Sequence, residues 1–226
     1  MPLSFLVSSP VIGIWEIVES WQDMLELFQN KALYANEVLS INSDSRKREW
    51  LAVRLLIKSL SGEEIPVCYK ENGTPFLADS QYHISITHTK GYAAVILSQY
   101  PHPGIDIEYW SERAWKLRTK YLSEAELELL DSMNQTGSNP SSLQTALATI
   151  CWCAKETAYK ALQEIEIDFI KHLHIEPFTL SEKGIISLKE TKTDKQTTLQ
   201  IHYQLTDDYI ITWFEGEKGE KGKARR

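Results

Sequence analysis

The sequence predicts an α+β protein of two similar halves, each with a long helix followed by a hairpin. Three observations carry this. Apolar runs at 84–98 and 198–214 contain turn residues, Thr89-Lys90-Gly91 in the first and Asp207-Asp208 in the second, as hairpins do. Stretches 43–60 and 143–163 repeat their apolar residues at helical spacing. Pro101-His102-Pro103-Gly104 is stiff punctuation near mid-chain and divides a half at 1–103 from a half at 104–214.

In chain order, Val11 to Val18 reads as a strand. Ser20 and Asp23 make a capping-box-like start to a helix whose Trp21, Leu25 and Phe28 form one stripe. Asp44 is placed to cap the next helix, where Trp50, Val53, Ile57 and Leu60 form a buried stripe. Lys47, Arg54 and Lys58 form a basic ridge on its other side. Strands at 84–87 and 92–98 follow, with His88 at the mouth of their turn. Beyond the boundary, Ser123 begins a helix with Glu124, Glu126 and Glu128 near its dipole-positive end. Asn134 to Ser142 has loop composition, and the helix from Leu143 to Gln163 packs through Ile150, Ala154, Ala158 and Leu162. Residues 169–176, 185–189, 198–205 and 209–214 read as strands. From Glu215 the chain is too polar to pack, so 215–226 is expected as a disordered charged tail.

With 42% hydrophobic and 24% charged residues, the chain has the composition of a soluble globular protein with a sizeable core. A net charge of −7 argues against general nucleic-acid binding, which wants a basic surface. Three cysteines cannot all pair with one another, and no Cys/His spacing suits zinc, so buried free thiols in a reducing cytosol are expected. The apolar start lacks the positive flank of a signal peptide, and no stretch is long enough to span a bilayer. A cytoplasmic monomer is the expectation.

Two segments carry chemistry. In Gly104-Ile105-Asp106-Ile107-Glu108, acids alternate with isoleucines, so Asp106 and Glu108 point the same way while Ile105 and Ile107 enter the core. In Trp152-Cys153-Ala154-Lys155-Glu156-Thr157-Ala158-Tyr159-Lys160, Glu156 and Lys160 share a helix face. Brought together, the segments supply three carboxylates and one or two lysines. Three ionised carboxylates repel, at about 4 kcal/mol per pair for ~4 Å and an effective dielectric of ~20. A hard divalent cation removes that cost, and lysines then suit a bound phosphate.

The combination G-I-D-I-E followed by W-x-x-K-E-x-x-x-K resembles the signature of the 4′-phosphopantetheinyl transferase superfamily, in its longer single-chain, surfactin-synthetase-activating class. Three upstream segments resemble its other motifs in the right order: Arg48 to Lys58, Asn72-Gly73-Thr74-Pro75, and Ser85-Ile86-Thr87-His88-Thr89. The resemblance implies a pseudo-duplicated fold with the active site in a cleft between the halves. It also implies a reaction: phosphopantetheine passes from coenzyme A to a serine of an apo acyl or peptidyl carrier protein, releasing 3′,5′-ADP. Such modification serves fatty acid, polyketide or nonribosomal peptide biosynthesis.

By resemblance, Asp106, Glu108 and Glu156 match the metal-binding acids, for Mg²⁺ with Mn²⁺ as the alternative. Lys160 matches the diphosphate-binding lysine, with Lys155 as a supporting charge. Glu156 takes the serine proton either directly or through a water on the metal, two roles the sequence does not separate. Thr87 and His88 match contacts to the nucleotide 3′-phosphate, assisted by Arg48 or Arg54. Thr74 stands where the family has a lysine, a loss that nearby Lys70 is placed to offset. A different Mg²⁺-dependent phosphate enzyme and a non-catalytic coenzyme A-binding module are the rival readings. Carriers of this kind look acidic, so docking on an acidic enzyme needs a local exception. Arg113, Lys116, Arg118 and Lys120 are the densest cations available, and a solvated connector is the other reading of them.

Overall fold

The computed structural model describes residues 3–8, 10–132, 141–163 and 166–217. These form two compact units, one of 1–104 with 215–226 and one of 105–214. The protein is α+β, with a separate sheet and a separate hydrophobic core in each unit. Among the described residues, no helix is long and apolar enough to cross a membrane.

The first unit opens with β1 (Leu3–Ser8) and β2 (Val11–Glu16), which pair antiparallel with a bulge between Phe5 and Val7. The apolar start is thus an edge strand, an element that its sequence does not announce. Helix α1 (Trp21–Glu26) begins where Ser20 Oγ accepts from the Asp23 amide at 3.1 Å. Helix α2 (Lys31–Ser40) buries only Tyr34 and Val38, too sparse a stripe to be read from spacing.

Helix α3 (Asp44–Ser61) is capped by Ser43, one residue before the expected Asp44, and Asp44 sits in the first turn, where its charge suits the dipole. Gly62 closes it at φ 82, a conformation that costs glycine no Cβ clash. The helix is buried nearly all round from Leu51 to Ile57, a wider face than the expected stripe. Strands β3 (Val67–Tyr69) and β4 (Pro75–Leu77) make a small hairpin around Gly73. Strands β5 (His83–Thr89) and β6 (Tyr92–Ser98) make the expected larger one. The sheet order is β1-β2-β6-β5. Of the expected polar tail, 215–217 are held, since the Glu217 amide donates to Pro101 O at 2.9 Å. Residues 218–226 lie outside the described residues.

The second unit begins with β7 (Gly104–Tyr109), α4 (Arg113–Leu117), a 3₁₀ turn at Arg118–Lys120 and α5 (Glu124–Ser132). Most of the expected 134–142 loop lies outside the described residues. Helix α6 (Ser142–Leu162) starts from a capping box, with Ser141 Oγ accepting from the Gln144 amide and Gln144 Oε1 from the Ser141 amide. The segment expected as a strand at 169–176 splits into α7 (Phe169–His172) and β8 (Leu173–Ile175). The cause is Asp168, whose carboxylate accepts from the Ile170 and Lys171 amides and caps a turn. Strands β9 (Lys183–Glu190), β10 (Thr198–Leu205) and β11 (Tyr209–Phe214) complete the order β7-β11-β10-β9-β8. Helix α6 packs on β11, where Thr157 Oγ1 meets Thr212 Oγ1 at 2.7 Å in the core.

Candidate active site

Strand β7 and helix α6 bring the expected acids into one neighbourhood of the second unit. Asp106 is only 6% exposed, so the acid-bearing face of β7 is covered at Asp106, while Glu108 is half-buried. Lys160 reaches back from the last turn of α6 and donates to Asp106 Oδ1 at 2.8 Å and to Ile105 O at 2.9 Å. An ammonium has three N–H donors, so one remains for a ligand, and the side chain keeps 27% of its exposure.

Glu156 stands one turn before Lys160. Burial pushes its carboxyl up to about 7, with Asp106 adding to the shift, Lys160 opposing it and Glu108 adding again. The same acids act on Cys153, whose thiol is raised by burial first and then by Asp106 and Glu108. These effects fall off with distance, so the three carboxylates lie close enough to sense one another. Among the described residues, no three His, Cys, Asp or Glu side chains are arranged as a metal-holding group. The chemistry of the donor set nevertheless suits a hard cation: Asp106, Glu108 and Glu156 act on one another, and Glu156 resists ionising.

Lys155 is placed elsewhere. It was expected as a supporting charge for phosphate, yet its side chain is fully buried. Its three donors go to Glu126 Oε2 at 2.7 Å, Tyr121 O at 2.8 Å and Phe169 O at 3.0 Å. Burial pushes its ammonium below the usual lysine range, with Glu126 opposing. Glu126 also accepts from the Ser123 and Ile175 amides, so the pair ties α6 to α5 and β8. Helical geometry accounts for this: Lys155 is rotated about 100° from Glu156 and meets a different wall.

A shallow hollow borders Glu108, lined also by Tyr109, Arg113, Leu117, Thr149 and Trp152. Trp152 packs edge-on against Tyr121 with ring centres 5.0 Å apart. Of the four cations expected to meet a partner, Arg113 stands at this hollow and Lys120 is exposed. Lys116 pairs with Glu112 at 2.9 Å, and Arg118 stacks on Trp115 at 4.0 Å while donating to Trp115 O.

In the first unit, the expected basic ridge on α3 is largely spent within the protein. Lys47 lies over Trp21, and Lys58 pairs with Glu64 at 2.8 Å. Arg54 is 6% exposed, stacks on Trp50 at 3.5 Å and donates to Trp50 O at 3.2 Å. Arg48 is half-buried on the same helix, and Thr87 is buried on β5. His88 is exposed, with Nε2 3.5 Å from an Arg46 guanidinium nitrogen and Nδ1 3.4 Å from Glu49 Oε2. Arg46 and Glu49 are the residues that sequence reasoning missed. The run Arg46-Lys47-Arg48-Glu49, in the first turns of α3, was the available signal.

Residues 103–214 match the profile of the ACPS 4′-phosphopantetheinyl transferase superfamily, a span that includes the whole second unit and with it Asp106, Glu108, Glu156 and Lys160. That stretch is therefore similar to a group-transfer enzyme. No curated protein matches the sequence.

Proposed function

We propose that the chain transfers 4′-phosphopantetheine from coenzyme A to a serine hydroxyl of an apo acyl or peptidyl carrier protein, releasing 3′,5′-ADP. The observation that carries this is the meeting of Asp106, Glu156 and Lys160 inside the segment that matches the superfamily. Asp106, Glu108 and Glu156 are the side chains that would hold Mg²⁺ or Mn²⁺. Such an ion neutralises charge developing on a diphosphate.

The remaining work falls to the chain itself. Lys160 orients Asp106 and has a donor left for a phosphate oxygen. Glu156 stands on the same face as Lys160 and is the carboxylate placed to accept the serine proton, with its carboxyl raised to about 7 by burial while no cation is bound. Phosphoryl transfer asks a protein mainly for positioning and charge neutralisation, and this set supplies both. We assign the nucleotide 3′-phosphate to His88 with Arg46, supported by Thr87 and Arg48. Arg54 stays a candidate only through its charge, since its guanidinium is buried on Trp50.

The longer single-chain class is favoured because the first unit has its own sheet, with β2-β6-β5 in the order that β7-β11-β10 repeats in the second. Duplication of one ancestral half accounts for that shared order. The hollow beside Glu108 and the cations Arg113, Lys116, Arg118 and Lys120 favour carrier docking there.

The test is direct: incubate the protein with coenzyme A, Mg²⁺ and a set of apo carriers, then weigh each carrier intact. A carrier heavier by one phosphopantetheine group is expected. No mass gain on fatty acid, polyketide or peptidyl carriers would sink the reading. So would full activity in excess EDTA or in Asp106→Ala.

A further inference from the structure

We propose that Glu49 is a positioning residue for His88, and that it thereby sets the preference for a ligand bearing a 3′-phosphate. The inference rests on the reading above, in which His88 meets that phosphate. Glu49 lies on α3 one turn after Arg46, and its side chain keeps only 17% of its exposure. Its Oε1 accepts from Ser45 Oγ at 3.2 Å. Its Oε2 is buried and makes no hydrogen bond, and His88 Nδ1 at 3.4 Å and Arg46 at 3.7 Å are its ion-pair neighbours. A buried carboxylate oxygen left without a hydrogen bond is costly, and a small turn of the His88 ring that brings an Nδ1 proton onto Oε2 would remove that cost.

Which imidazole nitrogen carries the proton is set by what the other atoms offer it. A carboxylate can only accept, so a ring with Nδ1 facing Glu49 places its proton there. Nε2 is then the atom turned towards Arg46, at 3.5 Å. For an arriving phosphate, which also can only accept, Nε2 must take up a proton from solvent and donate. The ring is then a cation beside the Arg46 guanidinium. Glu49 offsets that crowding of positive charge and keeps the ring from turning away. Without it, Arg46 and an imidazolium would repel, and the two donors would no longer converge on one phosphate.

The experiment compares coenzyme A with dephospho-coenzyme A as donors, for wild type, His88→Ala, Glu49→Leu and Glu49→Gln. Glu49→Leu is expected to raise KM for coenzyme A about ten-fold, the size of one lost charge-assisted contact. Its kcat and its kinetics with dephospho-coenzyme A should stay near wild type. Glu49→Gln keeps an acceptor for Nδ1–H and should recover most of the loss. If His88→Ala removes the donor preference while Glu49→Leu keeps the wild-type KM, the inference is overturned and the phosphate reading survives. A Glu49→Leu variant impaired equally with both donors shows a merely structural role, and also overturns it. No preference lost in His88→Ala, or no transfer by wild type, removes the reading beneath it and the inference with it. Should Glu49→Leu not fold, nitrogen NMR of the wild-type imidazole decides: a proton on Nδ1 supports the clamp, and a proton on Nε2 alone overturns it.

Discussion

Glu156 sits where burial, Asp106 and Glu108 all oppose its ionisation, and its carboxyl is raised from 4.5 to about 7. The folded state therefore prefers the protonated acid. The group's contribution to stability is fully present below about 4.5 and is lost as the pH rises to about 7. In metal-free buffer that loss amounts to roughly 3 kcal/mol, and Glu156→Gln should remove this part of the pH slope in denaturant titrations. An unchanged slope would show that Glu156 is not held as described. Because a cation needs the ionised carboxylate, Mg²⁺ affinity should fall about ten-fold per pH unit below 7, with proton release on binding in calorimetry. Lys155 makes the opposite kind of prediction. Breaking a buried pair leaves an uncompensated charge, so Lys155→Met should cost about 3–5 kcal/mol of stability. If the variant instead folds normally and loses coenzyme A affinity, Lys155 is a phosphate ligand after all.

Helix α6 carries Glu156 and Lys160 on one face; a local capping box sets its start, and its sides pack against elements distant in sequence. The capping box at Ser141 was legible only as loop composition, because Asn134 to Ser142 reads as polar throughout. Ser141→Ala should cost about 1 kcal/mol while leaving transfer unchanged, since the cap lies four turns from Glu156; a fall in kcat at unchanged stability would contradict this. The segment 169–176 shows where strand propensity fails. Its β-branched and aromatic residues suggest a strand throughout, but the Asp168 cap pulls the first four residues into α7. Gly216 is a similar local device in the first unit. It adopts φ 113, and a Cβ there would come within 2.5 Å of Pro101 O. Gly216→Ala should therefore lower the melting temperature by several degrees, measured by calorimetry, by forcing 215–217 away from Tyr100 and Pro101.

For the whole molecule, a net charge of −7 would repel an acidic carrier of the kind proposed, so encounter would depend on local cations. Lys116 is partly answered by Glu112, and Arg118 is stacked on Trp115, which leaves Arg113 and Lys120 as the more available charges. Reversing Lys116 and Lys120 to Glu should raise KM for carrier at low ionic strength. The effect should fade as the Debye length falls from ~10 Å at 0.1 M to ~3 Å at 1 M salt. Coenzyme A binding should be unaffected. Unaltered carrier kinetics at low salt would move the docking surface elsewhere.

The sequence by itself determined what short-range rules govern. The period-two run of β7, the hairpin β10–β11 with its Asp207-Asp208 turn, and the long α6 follow from residues within a few positions of one another. So does the shared face of Glu156 and Lys160. Only the tertiary structure decided which cations are free to meet a phosphate. Lys155 and Lys160 look alike in sequence, but Glu126, 29 residues away, claims the first, while Ile105 O and Asp106 hold the second at the site. Arg54, Lys47 and Lys58 are likewise spent on Trp50, Trp21 and Glu64. A charge's availability depends on what folding packs beside it, and those neighbours come from distant parts of the chain.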